Sequence, residues 1–182
     1  MATFDYELLR KCGEDVYISN KVEIRRPNLV DIGSHVAIDS GFYLTTEATI
    51  GNYIHIGPYV SCIGGAKAIL EMGDFSSIAA GARLIALGDE HLGVGLVGPT
   101  IPAPYKDKLV GGRIRIEKFA AVGTNAIVMP GVTLSEGSVL GAGSLLSRDT
   151  EPWTIYVGTP ARAIKMRQKE KMIEYANQIQ AQ

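Results

Sequence analysis

The chain has 182 residues, with 18 Lys+Arg against 19 Asp+Glu, 3 His and 2 Cys. That length suits one compact domain with a full core, and a net charge of −1 argues against a nucleic-acid footprint or a polybasic membrane surface, both of which need many clustered cations. Two cysteines, Cys12 and Cys62, cannot build a disulfide framework or a four-thiolate zinc site, so both are expected to be reduced. Residues Met1 to Arg10 mix acidic and polar positions where a secretory leader has a cationic start and a continuous apolar stretch. No uncharged apolar run approaches the ~18 residues of a membrane helix, and a cytoplasmic protein is expected.

Aliphatic residues recur every six positions from Ile32: Ile38, Leu44, Ile50 and Ile56 follow, then after a phase shift Met72 and Ile78, and later Ile116, Val122, Val128, Leu134 and Leu140. Most of these starts are followed directly by Gly, Ala, Asp or Glu, as in Ile50-Gly51 and Val122-Gly123. Four positions after a start stands a small or β-branched residue, as at Val36, Ala48, Val60, Ser76, Ala82, Ala120, Ala126, Val132, Ser138 and Ser144. A period of six is neither the 3.6 of a helix nor the 2 of an ordinary strand. It is a short strand plus a turn, repeated, which is the pattern of a parallel β-helix. The aliphatic start is predicted to point inward and stack on its equivalents, and the small residue to fit where the chain bends inside a narrow prism. An ordinary β-sandwich would show strand spacings that vary.

Two stretches break the period: residues 62–71, framed by Gly64-Gly65, and residues 86–112, closed by Gly111-Gly112. The second is predicted to be a long structureless excursion, and such excursions from a tight scaffold usually carry function. It opens with Gly88-Asp89-Glu90-His91 and returns through Pro99, Pro102 and Pro104. His35 and His55 fall on repeat positions expected to face outward as surface imidazoles, and Cys62, with no base near it, is expected to be a buried thiol. Past residue 151 the period stops. The expected division is a β-helix domain over 1–160 and a C-terminal helix over 161–182, with Ile164, Met172, Ile173, Ala176 and Ile179 at roughly helical spacing and a basic surface.

The stretches Ile116-Glu-Lys-Phe-Ala-Ala-Val-Gly123, Val128-Met-Pro-Gly-Val-Thr133, Leu140-Gly-Ala-Gly-Ser144 and Val157-Gly-Thr-Pro-Ala-Arg-Ala-Ile164 resemble the hexapeptide-repeat acyltransferases, closest to the maltose/galactoside and xenobiotic O-acetyltransferase branch. The resemblance covers about residues 14–166. It implies an all-β fold, a left-handed parallel β-helix of triangular section, and a homotrimer with active sites between protomers. It implies acetyl-CoA as acyl donor and no metal. The donor's pantetheine arm would lie against Gly123, Thr124, Ala142 and Gly143, and its nucleotide end would meet Arg162 and Lys165. The segment ending in His91 looks like the family's catalytic-histidine segment. An imidazole there would act as general base, because a neutral alcohol is a weak nucleophile and an imidazole can take its proton as the new bond forms.

Ser61, Asp89 and Glu90 are the acceptor-side candidates, and Asp89, Glu90 or a backbone carbonyl could hold the other imidazole nitrogen of His91. Where sugar acetyltransferases of the family usually carry tryptophan, Ala121 leaves a smaller wall, and their acceptor-binding asparagine has no match near Ser61. The activity expected is O-acetylation of a sugar or other small hydroxylated acceptor, plausible in surface glycan modification. The alternatives are N-acetylation of a nucleotide-linked amino sugar and a non-catalytic scaffold. A γ-class carbonic anhydrase shares the fold, but it needs three zinc histidines, two of them close in sequence, and His35, His55 and His91 offer no such pair.

Overall fold

The computed structural model describes residues 4–181. Three parallel sheets run the length of the molecule, and each coil contributes one short strand to each sheet. The first sheet holds Lys11–Cys12, Val30–Ile32, Glu47–Ile50, Ile69–Met72, Arg113–Ile116 and Thr133–Leu134. The second holds Val16–Ile18, Val36–Ile38, Ile54–Ile56, Ser77–Ile78, Ala121–Val122, Val139–Leu140, Thr154–Gly158 and Ala161–Met166. The third holds Glu23–Ile24, Tyr43–Leu44, Ser61–Ile63, Arg83–Ile85, Ile127–Val128 and Leu145–Leu146.

The six-residue period is the register of these sheets. Ile32, Ile50, Met72, Ile116 and Leu134 are direct partners in one column, and Ile38, Ile56, Ile78, Val122 and Leu140 in a second. Leu44, Cys62, Leu84, Val128 and Leu146 form the third. All these side chains are buried, and burying each aliphatic stabilises the fold by about 1.5–3 kcal/mol as an upper bound. The ten small residues four positions after a start are buried as well, where the three walls meet.

The interruptions are shorter than the sequence suggested. Cys62 keeps its place in the third column, and the insertion is a 3-10 turn at Gly65–Lys67 that lengthens one coil before the strand Ile69–Met72 resumes. The excursion is not structureless. Leu87–Asp89 pairs antiparallel with Leu109–Gly111, so residues 87–111 form an arm with a two-stranded base. Three residues on each side of that base are too few to reveal a hairpin without the partner strand.

A second departure lies past residue 160. Residues Ala161–Met166 are a strand, antiparallel to Thr154–Gly158, and the helix spans Glu170–Gln180 alone. The last parallel strand presents an open edge, and pairing it satisfies backbone groups that a helix over 161–166 would leave exposed there. The helix itself carries Lys171 against Glu170 and Glu174, so the basic surface belongs to the strand and the residues after it. Among the described residues no helix is long and apolar enough to cross a membrane.

One corner carries a ladder of rings three positions after the column residues of the first sheet. His35 stacks on Tyr53 at 4.5 Å between centroids, Tyr53 on Phe75 at 4.8 Å and Phe75 on Phe119 at 5.5 Å, and Trp153 follows at 5.6 Å. All five residues have φ between 53° and 64°, a region that bulky side chains rarely adopt. Hydrogen bonds from each backbone N–H to the coil before it hold them there, as from Tyr53 to Ser34, Phe75 to Asn52 and Phe119 to Asp74. At the next rung Gly137 leaves the space that the indole of Trp153 fills. Met172, Ile173 and Ala176 of the helix pack on Phe75, Phe119 and Trp153, and Arg167 donates to the carbonyls of Phe119 and Gly137 at 2.9 and 3.1 Å.

Candidate active site

The arm carries two of the three acceptor-side candidates, Asp89 and Glu90, together with His91. Its base is extended by the N–H of Glu90, which donates to the carbonyl of Lys108 at 2.8 Å. Asp89 is half-buried, and its Oδ2 accepts the Gly98 N–H at 3.2 Å. That bond ties one end of the arm's loop to its base and leaves the other carboxylate oxygen available. His91 is exposed with φ 61°. No hydrogen bond joins it to Asp89 or Glu90, so neither orients the imidazole within one chain. Ser61 stands on the outer face of the third sheet between Tyr43 and Arg83, away from any hydrogen bond with the arm. Asp107 was not foreseen: it is buried, with Oδ1 accepting the Lys108 N–H at 2.8 Å.

The donor-side candidates do come together. Gly123, Thr124, Ala142 and Gly143 lie on two successive coils at the corner between the second and third sheets, joined by the Gly143 N–H donating to the Thr124 carbonyl at 2.8 Å. Gly143 has φ 65° and nothing within 4 Å of where a Cβ would stand, while Thr124 and Ala142 are exposed, so this corner is open to a slender ligand. Gly123 is small for a different reason. A Cβ there would stand 2.6 Å from the backbone N of Ala142 on the next coil, so coil stacking by itself requires the glycine. The turn after the last parallel strand closes over the corner: Thr159 Oγ1 donates to the Gly143 carbonyl at 3.4 Å and the Gly158 N–H donates to Ser144 Oγ at 2.9 Å.

Arg162 and Lys165 are exposed on the terminal antiparallel strand that leaves this turn. Replacing both by alanine is expected to raise the KM for an acyl-CoA donor about tenfold and to flatten its dependence on salt, because attraction between exposed cations and phosphates is screened by ions. Steady-state kinetics at two ionic strengths checks this, and an unchanged KM places the donor's phosphates elsewhere.

Cys62 is 0% exposed. Burial pushes its thiol up to about 12, with Thr46 Oγ1 at 3.7 Å as its polar neighbour, so it has no thiolate to offer as a nucleophile. His35 and His55 face outward as expected, yet each is paired with an aspartate from the preceding coil. His35 Nδ1 lies 2.9 Å from Asp15 Oδ2, and His55 Nε2 lies 2.9 Å from Asp39 Oδ2. These pairs span separations of 20 and 16 residues, about one coil, which is the signal in the sequence that could have found them. On the first sheet a groove of about 450 Å³ is lined by Glu71, Arg115, Glu117 and Lys118 among others. Glu71 there bridges Arg113 and Arg115 at 3.4 and 2.9 Å, and no residue expected to act lies in it.

No protein-family model matches the chain. A dTDP-4-amino-4,6-dideoxy-D-glucose acyltransferase of Escherichia coli is 32% identical over 168 residues, 91% of this chain and 85% of its own length. The crystal structure of AntD, an N-acyltransferase from Bacillus cereus in complex with dTDP and 3-hydroxybutyryl-CoA, superposes with a TM-score of 0.90 and 35% identity, over 96% of this chain and 92% of that one. A chloramphenicol acetyltransferase of Agrobacterium fabrum is 32% identical over 54% of this chain and 52% of its own length. Likeness over nine-tenths of the chain to relatives that are acyltransferases makes this hexapeptide solenoid an acyltransferase. The chain belongs to the hexapeptide-repeat acyltransferase family. Of the two relatives above that span it, one is named for a dTDP-amino sugar and the other is an N-acyltransferase with dTDP bound, so its place beside the maltose/galactoside enzymes is not carried over.

Proposed function

We propose that this protein transfers an acyl group from acyl-CoA to the amine of a nucleotide-linked amino sugar. The observation that supports this most is the extent of likeness. The two relatives above that share more than nine-tenths of this chain are an acyltransferase of a dTDP-amino sugar and an N-acyltransferase with dTDP and acyl-CoA bound, whereas the drug acetyltransferase matches only about half. The reading moves the acceptor from the hydroxyl expected first to the amine expected second.

The site's own residues suit an amine. The free oxygen of Asp89 can accept a hydrogen bond from it and attract its protonated form, and the arm holds that carboxylate in place through Gly98. An amine freed of its extra proton attacks the thioester carbonyl without a strong base. The C–N bond forms, the C–S bond breaks, and the nitrogen's surplus proton goes to the departing thiolate. His91, two residues from Asp89 and open to solvent, is placed to carry the ammonium's first proton away. Thr124, Ala142 and Gly143 would hold the pantetheine and Arg162 and Lys165 the donor phosphates. The deciding assay is thiol release from acetyl-CoA on adding dTDP-4-amino-4,6-dideoxyglucose; release with chloramphenicol but not with the amino sugar overturns the proposal.

A homotrimer belongs to the same proposal. The arm leaves Leu92, Val94, Leu96, Val97, Tyr105 and Leu109 exposed, far more apolar surface than a free loop carries, and a second copy that covered it would bring the arm's carboxylate to a donor corner. Light scattering is expected to give about three times 19.5 kDa; a fully active monomer contradicts this assembly.

A further inference from the structure

The arm buries one side chain, and that side chain is an acid. From residue 87 to residue 113 every other position is exposed or half-buried, whereas Asp107 is 4% exposed. Leu92, Val94, Leu96 and Val97 of the same arm stand in solvent. This inverts the usual order, in which apolar side chains go inside and carboxylates stay outside.

The burial is built by the fold of the arm. The loop crosses Asp107 at Gly95, where a Cβ would stand 2.5 Å from the Asp107 backbone N. The Asp107 N–H donates to the Leu96 carbonyl at 2.9 Å, and Oδ1 accepts the Lys108 N–H at 2.8 Å. Its other oxygen, Oδ2, is buried with no hydrogen-bond partner among the described residues. Lysines flank it on both sides in the sequence, yet Lys106 Nζ donates to the Pro99 carbonyl at 3.3 Å instead. A buried carboxylate oxygen without a donor lowers stability, so the arm keeps this acid against the interest of its own folding.

The position of the acid accounts for its retention. Two acids hold one short stretch of the loop: Asp107 through the Leu96 carbonyl and Asp89 through the Gly98 N–H, which its Oδ2 accepts at 3.2 Å. Two residues of chain span at most about 7 Å, so the stretch that fixes Asp89 is itself fixed by Asp107. The charge of a buried carboxylate is also screened far less than that of an exposed one. When an amine attacks a thioester, its nitrogen is positive until the surplus proton passes to the departing thiolate, and a fixed negative charge nearby stabilises that nitrogen without having to reorganise.

We propose that Asp107 is a positioning residue of the acceptor site, acting through Asp89: it sets the stretch that holds the Asp89 carboxylate and adds a buried negative charge that favours the cationic nitrogen. This rests on the reading that the acceptor is an amine at Asp89. The test is steady-state kinetics with dTDP-4-amino-4,6-dideoxyglucose and acetyl-CoA, together with thermal unfolding at one protein concentration, for the wild type, Asp107→Asn and Asp107→Ala. An asparagine oxygen can still accept the Lys108 N–H, so Asp107→Asn removes the charge and keeps the turn. The expected result for Asp107→Asn is a kcat/KM for the amino sugar lowered by about 10–100-fold, an unchanged KM for acetyl-CoA and a Tm no lower than that of the wild type, because a neutral amide is easier to bury than a carboxylate. Asp107→Ala is expected to lose at least as much activity. Wild-type kinetics in Asp107→Asn beside an impaired Asp107→Ala would reduce Asp107 to a turn-former and overturn the proposal, as would an Asp107→Asn whose loss of activity comes with a lowered Tm. If the wild type does not turn over the amino sugar at all, the proposal falls together with the amine acceptor; in the other two outcomes the amine acceptor stands.

Discussion

Asp89→Asn is expected to lower kcat/KM for a nucleotide-linked amino sugar by about 10²–10⁴-fold, the range over which positioned proton-handling groups act, while leaving the KM for acyl-CoA unchanged. The substitution is nearly isosteric. An asparagine oxygen can still accept the Gly98 N–H that Asp89 Oδ2 accepts at 3.2 Å, so the arm keeps its fold. Its NH2 group then stands where a carboxylate oxygen stood and turns a donor toward the donor groups of the amine. His91→Ala is expected to cost less than about tenfold, because an imidazole that is exposed and hydrogen-bonded to nothing acts as one carrier of protons among many waters. Steady-state kinetics of the two variants side by side checks both statements. A loss of 100-fold or more in His91→Ala, with Asp89→Asn near wild type, makes His91 the base and returns the acceptor to a hydroxyl.

The scaffold was legible because its order is local and repeated. Each column residue sits six positions from the next along the chain and is buried against partners of the same kind, so Ile32, Ile50 and Met72 carry in the sequence the same information that they carry in the sheet. Cys62 and Leu84 belong to the third column but escaped the count, the first because a thiol replaces an aliphatic, the second because the excursion begins two residues later. The ring ladder recurs once per coil, three positions after Ile32, Ile50, Met72 and Ile116 of the first sheet's column, and His35, Tyr53, Phe75 and Phe119 could have been read from it.

What the period does not reach is set by partners distant in the chain. The strand Ala161–Met166 exists because Thr154–Gly158 offers it an edge, and residues 161–166 alone do not declare that edge. The arm's base needs Leu87–Asp89 to meet Leu109–Gly111 across the whole excursion. The residues of the proposed donor corner share a motif in the sequence, but the atom that excludes a side chain at Gly123 belongs to Ala142 of the next coil, which no local pattern declares. The aspartates behind His35 and His55 show only when the sequence is searched at one coil's separation, because in a solenoid the nearest neighbour of a side chain lies about one coil away, not beside it in the sequence.

Offered dTDP-sugars that differ only in carrying an amine or a hydroxyl at the reacting carbon, the enzyme is expected to prefer the amine by about 10²-fold or more in kcat/KM. Two effects act in the same direction. A carboxylate such as Asp89 attracts the ammonium form of the acceptor and forms charge-assisted hydrogen bonds with it, which are about twice as strong as those to a neutral hydroxyl. The hydroxyl, moreover, stays protonated through the neutral range and must lose its proton as it attacks, which calls for an oriented base, and among the described residues no carboxylate is hydrogen-bonded to His91. The product of the favoured reaction is an amide, so mild base should leave it intact where it would cleave an ester, and mass spectrometry before and after such treatment reads the difference. Equal rates for the two sugars, or a base-labile product from the amino sugar, would place the acyl group on oxygen and remove Asp89 from the centre of the site.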